Sequence, residues 1–332
     1  MKRKKQLYIM ILLFLFLFQS LLLSGCAKKQ EAYTASGIYF DTFISISVYD
    51  IADRAYADEC IKMAYRYENL FSRKVEGSDI DRINHAHGNP VEVDPETAAL
   101  LSTAIEYAEL TDGLVDPTVA PITSLWKFNI ETPNAPNAEI LKENASHVNY
   151  KNVEINDNTV TMLDPIGGID LGFIAKGYIA DKMGQYLRSQ NVTSALINLG
   201  GNVLTVGCKP DGSDFVVGVK KPFSMENETM MSLNINNTSV VSSGIYERYF
   251  YEEGNFYHHI LDTKTGYPVE NSLLGVTLIG PDSTKCDALS TAVFIMGPEK
   301  GLQFVEETPD LEAVFVTDDY QLIKSSGLGS EN

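Results

Sequence analysis

Gly167-Gly168-Ile169-Asp170-Leu171-Gly172-Phe173-Ile174-Ala175-Lys176-Gly177-Tyr178 runs without a break into a helix expected from about Lys176 to Arg188. Glycines let a backbone approach a ligand closely, and the free N–H groups of a helix start attract phosphate. Lys176 adds a cation in the first turn. The spacing fits neither the dinucleotide fingerprint nor a P-loop, so the stretch reads equally as a diphosphate cradle or as a glycine-rich strand exit. Around it, from Val153 onward, short strands alternate with Gly, Asn and Asp turns, and a second helix is expected from about Thr284 to Met296. That mixture points to α+β, with mixed sheets and packed helices, rather than a regular parallel sheet.

Toward the N-terminus, alternation around Ile44, Ile46 and Val48 predicts one half-buried strand over 37–49, followed by a helix over 53–71. Asp94-Pro95 is a helix start, with a capping Asp and a Pro at the first helical position, and Gly113 ends that helix after Leu110. Residues 131–137, with two prolines and two asparagines, read as a surface loop and the weakest point in the chain. The expected layout is a leader over 1–25, a tether over 26–36 and one catalytic body over 37–332.

The leader is read from Lys2, Arg3, Lys4 and Lys5, a run from Leu7 to Leu23 that is apolar apart from Gln19 and Ser20, and the box Leu23-Ser24-Gly25-Cys26. This reads as a lipoprotein signal peptide, in which the Cys26 thiol takes a diacylglycerol, cleavage follows and Cys26 becomes the lipid-anchored N-terminus; an uncleaved membrane anchor is the plain alternative. The expected location is the extracytoplasmic face of the cell membrane. Cleavage removes four of the 26 Lys and Arg and none of the 44 Asp and Glu, which leaves 22 against 44 and a net charge of −22. So acidic a surface excludes nucleic acid as a partner, and a polyphosphate ligand would need a local cation. Beyond Cys26 the cysteines are Cys60, Cys208 and Cys286, an odd number that implies no disulfide framework.

Four more segments combine glycines with acids, hydroxyls or histidines. Asp112-Gly113-Leu114-Val115-Asp116-Pro117-Thr118-Val119-Ala120-Pro121 is a rigid loop past a helix end, and alone it favours a plain helix stop and turn. Asn198-Leu199-Gly200-Gly201-Asn202 is a second place of close backbone approach. Ser242 to Phe250 pairs with His258-His259-Ile260-Leu261-Asp262-Thr263-Lys264-Thr265-Gly266, where a His beside an acid is a candidate proton carrier and an exposed strand histidine is the plain alternative. In Asp287-Ala288-Leu289-Ser290-Thr291, Asp287 and Thr291 stand four apart on one helix face and offer hard oxygens to a cation such as Mg²⁺. Thr284 and Asp287 also fit a capping box, and spacing alone favours that reading.

In this order the segments resemble the ApbE family of FAD:protein FMN transferases, over nearly the whole mature chain. Its most specific matches are Asp-Gly-x-x-Asp-Pro-Thr-Val at 112–119, Asp-Leu-Gly-x-Ile-Ala-Lys-Gly-Tyr at 170–178, Ile-Asn-Leu-Gly-Gly-Asn at 197–202, His-Ile-x-Asp-x-x-Thr-Gly at 259–266 and Asp-Ala-Leu-Ser-Thr-Ala at 287–292. The resemblance implies the family's T-fold type of body. It also implies Mg²⁺ bound by Asp287, Thr291 and the Phe173 carbonyl, and FAD contacted by Phe40, Leu114, Val115, Asp116, Asp170, Lys176 and Leu261. Family members usually have Met-Gly-Thr where this chain reads Phe40-Asp41-Thr42, and a small residue at Phe173. The implied reaction passes the FMN half of FAD to a Ser or Thr hydroxyl of an acceptor protein and releases AMP. His259 is expected as the base, with Asp262 as orienter or alternative base. An exported or membrane-bound electron-transfer protein is the expected acceptor. Attack by water instead would make the chain an FAD pyrophosphatase, and a site without chemistry would make it an FAD-binding lipoprotein.

Overall fold

Ile44, Ile46 and Val48 do build a half-buried strand, β2 (Thr42–Val48), and each of them is at most 1% exposed. The residues before it correct the single-strand expectation: β1 (Tyr33–Tyr39) folds back antiparallel on β2, so 33–36 belong to the sheet and not to the tether. Phe40 and Asp41 make the reversal with φ of 54° and 57°, both left-handed, as a two-residue hairpin whose twist matches its strands requires. The computed structural model describes residues 32–49, 54–128, 130–224, 226 and 228–329. Cys26, the leader and most of the tether lie outside the described residues.

The later strands are β3 (Val91–Glu92), β4 (Val153–Asn156), β5 (Thr159–Met162), β6 (Ala195–Leu199), β7 (Asn202–Val206), β8 (Phe215–Lys220) and β9 (Thr229–Ile235). After them come β10 (Ser239–Gly244), β11 (Tyr249–Glu252), β12 (Asn255–His258), β13 (Leu273–Gly280), β14 (Glu312–Thr317) and β15 (Leu322–Lys324). Among the described residues, eight strands form one antiparallel sheet in the order β1-β2-β6-β7-β10-β13-β14-β15. Smaller ribbons pair β8 with β9, β11 with β12, and β3 with β5 and β4. All eight residues of β13 are buried, as expected for a central strand covered on both faces.

The helices are α1 (Arg54–Phe71), α2 (Asp79–Asn84), α3 (Pro95–Leu110), α4 (Ala120–Thr123), α5 (Ala138–Ala145), α6 (Ala175–Ser189) and α7 (Ser283–Glu307). Asp94 caps α3 as the sequence predicts, accepting from Glu96 N–H at 2.9 Å. α7 runs past the expected end at Met296, but Gly297 (φ 78°) and Pro298 break it there, so the first stretch does stop at that residue. α6 and α7 pack on each other, α6 over β6 and β7 and α7 over β10 and β13.

The loop over 131–137 separates no domains, because 33–332 is one compact unit. Ala135 N–H donates to Glu252 at 2.9 Å, and Trp126 Nε1 donates to the Gly266 carbonyl at 2.9 Å. A small apolar cluster of Ile122, Trp126, Leu141, Phe250 and Leu261 fills the space beneath these crossings.

Candidate active site

The fold gathers the singled-out segments in pairs. Pro117 and Gly168 carbonyls accept from Asp170 and Ala120 N–H, which lays the 112–121 loop along the glycine segment. Thr263 Oγ1 donates to the Gly113 carbonyl at 2.7 Å, tying that loop to the histidine segment. Gly177 and Asp287 join the glycine segment to α7.

That last junction is the tightest. A Cβ on Gly177 would lie 2.2 Å from the Ser283 carbonyl oxygen and 2.6 Å from Asp287 Cβ, so only glycine lets α6 and α7 touch here. Ile174 at the start of α6 supplies no side-chain cap. Asp287 Oδ2 instead accepts from Gly177 N–H at 2.8 Å across the helix interface. The capping-box reading with Thr284 is therefore corrected: Asp282 caps α7, accepting from Lys285 N–H at 2.8 Å, and Asp287 caps the neighbouring helix. Asp287 Oδ1 faces Lys176 Nζ at 3.7 Å, and the carboxylate is only 6% exposed.

Gly177 N–H is also the donor that the Phe173 carbonyl would have if the helix continued backward. Since it is taken by Asp287, and Ile174 and Ala175 N–H both go to Leu171, the Phe173 carbonyl stays outside the backbone ladder. Thr291 Oγ1 lies 3.3 Å from Ser243 Oγ, which is itself 2.8 Å from Ser290 Oγ. Among the described residues no three His, Cys, Asp or Glu side chains gather as a metal cluster. A cation held here would thus have one carboxylate oxygen, one hydroxyl and one carbonyl, the sparse oxygen set that suits Mg²⁺ shared with a phosphate ligand.

The expected FAD-side residues divide into two kinds. Asp170 and Asp116 are engaged inside the protein. Asp170 Oδ2 takes Arg73 Nε and Thr123 Oγ1, each at 2.8 Å, and its Oδ1 takes Gly172 N–H at 3.0 Å, so it shapes the glycine loop. Asp116 is 4% exposed and accepts from Thr118 N–H, Thr118 Oγ1 and Tyr150 N–H, while burial pushes its pKa up. Val115 and Leu261 are buried, leaving mainly backbone at those positions. Lys176, Leu114 and Phe40 are half-buried, and Phe40 N–H donates to Glu68 Oε1 at 2.6 Å.

The histidine segment departs from expectation at Asp262. Its Oδ1 accepts from Lys264 and Thr265 N–H, both at 2.8 Å, so Asp262 holds the turn and does not orient His259. His259 Nδ1 is buried with no hydrogen-bond partner, and the other such atom in these segments is Asn202 Nδ2. Burial, and then the charge of Arg248, pull the His259 pKa down to about 3, with Lys176 adding a smaller push. The imidazole is neutral at physiological pH. His258 is a different case: Nε2 lies 3.1 Å from the Val269 carbonyl and Nδ1 accepts from Ile260 N–H at 3.3 Å, so burial holds it neutral as a structural group.

Sequence reasoning missed Arg73, Glu247 and Arg248 as contributors. Glu247 is open to solvent yet hemmed by protein, and its pKa is raised by desolvation against the opposing charges of Lys176, Arg248 and Lys220. Arg248 and Glu247 lie in the singled-out 242–250 stretch and could have been found there. Phe71-Ser72-Arg73 is similar to a Phe-Ser stretch of the family but is too short to assign contacts, and Arg73 pairs with a residue 97 positions away.

The family model described as the ApbE family matches residues 40–315. An FAD:protein FMN transferase of Klebsiella pneumoniae is 37% identical over 302 residues, 90% of this chain and 93% of that protein. One of Treponema pallidum is 30% identical over 324 residues, covering 92% and 89%. The solved ApbE protein of Thermotoga maritima superposes with a TM-score of 0.83 at 34% identity, covering 90% of this chain and 98% of that one. The flavin transferase ApbE of Vibrio cholerae does so with 0.78 at 26% identity, covering 89% and 98%.

Proposed function

The chain belongs to the ApbE family and is a flavin transferase with FAD as substrate, and from that premise we propose a Mg²⁺-dependent transfer of FMN to a Ser or Thr hydroxyl of an acceptor protein. The observation that carries this reading is the divided Asp287 carboxylate, with one oxygen fixed by Gly177 N–H and the other beside Lys176. Asp287 Oδ1, Thr291 Oγ1 and the Phe173 carbonyl would hold the cation. When bound, Mg²⁺ would offset charge on the diphosphate and on the leaving AMP.

Lys176 supplies a second positive charge to the diphosphate, next to N–H groups at the start of α6. The acceptor oxygen bonds to the FMN phosphorus as the phosphoanhydride bond to AMP breaks. The hydroxyl proton passes to His259, which is neutral and has an unpartnered nitrogen. The negative charge of bound FAD would raise the low pKa of His259 toward the working range, strengthening it as a base. Asp170 and Asp116 hold the loops that frame the ligand.

The lipid at Cys26 would place this chemistry on the extracytoplasmic face of the cell membrane. Acceptors are then exported or membrane-bound electron-transfer proteins within reach of the tether. Among the described residues no helix is long and apolar enough to cross a membrane.

The test incubates the chain from Ala27 onward with FAD, Mg²⁺ and a candidate acceptor, and follows AMP release and acceptor mass. AMP formed together with an FMN adduct on Ser or Thr is expected. AMP without an adduct would establish an FAD pyrophosphatase, and tight FAD binding without turnover an FAD-binding lipoprotein. Mass spectrometry of the N-terminal peptide from membranes should find diacylglycerol on Cys26, and an unmodified thiol would overturn the anchor.

A further inference from the structure

α6 and α7 cap each other. Asp287 of α7 accepts from Gly177 N–H in the first turn of α6 at 2.8 Å. In return Asp181 of α6 accepts from two first-turn amides of α7, Ser283 N–H at 3.0 Å and Thr284 N–H at 2.7 Å, and from Thr284 Oγ1 at 2.6 Å. Asp282 takes the third amide, Lys285 N–H. The arrangement is reciprocal down to its spacing, since Gly177 and Asp181 stand four apart on α6 and Ser283 and Asp287 four apart on α7. Residues four apart share a helix face, so one face of each helix gives both a donor and an acceptor to the other.

The consequence is a fixed register. Sliding either helix along the other breaks all four bonds at once, and the absence of a side chain at Gly177 leaves no slack between the backbones. Lys176 lies in the first turn of α6, Asp287 in the second turn of α7, and Thr291 one turn further along α7. We propose that Asp181 is a positioning residue of the transfer reaction: it clamps the start of α7 and so sets where Asp287 and Thr291 stand relative to Lys176. It touches none of these three through its own hydrogen bonds, and neither composition nor motif spacing marks it for the role. The inference rests on the reading of Asp287 and Lys176 as the groups that meet the cation and diphosphate.

The experiment uses the full-length mature protein and compares Asp181→Asn, Thr284→Val and Asp287→Ala. Each is measured for turnover, for KM of FAD, for thermal midpoint and for the gain in FAD affinity that Mg²⁺ confers, read by flavin fluorescence without an acceptor. For Asp181→Asn the expected result is a fall in kcat of about tenfold to a hundredfold, the cost of a misplaced group. FAD affinity without Mg²⁺ should change little, and the Mg²⁺-dependent gain should shrink. Thr284→Val, which removes only the hydroxyl link, should move kcat and the Mg²⁺ gain the same way by less, and it decides the matter if Asp181→Asn does not fold. A lowered thermal midpoint with kcat and the Mg²⁺ gain intact in both variants would overturn the positioning role. That result beside an inactive Asp287→Ala sinks the inference alone, whereas an unimpaired Asp287→Ala sinks the reading of the site and the inference with it.

Discussion

At the α6–α7 junction most polar atoms have assigned partners: Asp287 on Gly177 and Lys176, and Asp181 and Asp282 on the start of α7. In the histidine segment the acid is committed to its own turn and His259 Nδ1 has no partner. The first region is built before any ligand arrives, whereas the second offers an acceptor that something else must complete. This difference matches the two tasks of a transferase. A diphosphate needs fixed charges at fixed places, since reorganising them during reaction costs rate. A proton acceptor for an incoming protein must stay free until that protein docks.

The hardest blow to the preorganised half is Gly177→Ala. The added methyl would meet the Ser283 carbonyl and Asp287 Cβ well inside contact distance. The helices must part, with an expected fall in kcat of about a hundredfold or more and overpacking of about 1–3 kcal/mol. Steady-state kinetics and thermal melts check both, and a wild-type rate would mean the junction is not preorganised in any sense that matters.

The open half gives a sharper pair. His259→Gln should lower kcat by about 10² to 10⁴, the usual worth of a general base. Asp262→Asn retains a carbonyl oxygen for the same two backbone donors, so its change should stay within about twofold, below about 0.5 kcal/mol. Equal losses in the two variants would restore Asp262 as the partner of His259 and erase the contrast.

Much of this was readable in advance, unevenly. Asp94-Pro95, the helix after Gly172 and the α7 stop at Met296 follow from local capping and glycine placement, and the structure has them within a residue or two. The hairpin at Phe40-Asp41 was missed because a turn with two positive φ values normally shows a glycine or asparagine, and neither is present. Segment membership in the site was legible through the family resemblance. What each carboxylate does was not, because Asp287, Asp181 and Asp170 are defined by partners 110, 102 and 97 positions away. Capping was the right chemistry for Asp287, assigned to the wrong helix.

The histidine segment also makes an acid-stability prediction. His258 is 5% exposed, and burial lowers its pKa from 6.5 to about 4. Between those values the unfolded chain holds the proton that the folded chain refuses. The His258 contribution is therefore complete above pH 6.5 and is lost as the pH falls toward 4, by a few kcal/mol in all. Denaturant titrations from pH 7 to 4 should show a shallower decline for His258→Asn than for the wild type, and parallel curves would remove His258 from the account.

The smallest expected effect lies at the tip of the first hairpin, whose Asp41 pairs with Lys74. Asp41 has a φ of 57°, which costs a non-glycine residue about 1 kcal/mol, and Asp41→Gly relieves it. The same change removes an ion pair with Lys74 in which both side chains are 57% exposed, worth at most about 1 kcal/mol. The two terms nearly cancel, so the thermal midpoint should move by less than about 3 °C. Lys74 is next to Arg73, whose bond to Asp170 holds the glycine loop, and that bond does not involve Asp41. If the loop is fixed by Arg73 alone, KM for FAD stays within about twofold of wild type. A larger shift would show that the tip reaches the flavin, and the preorganised region would then extend from the helix junction to the first hairpin of the chain.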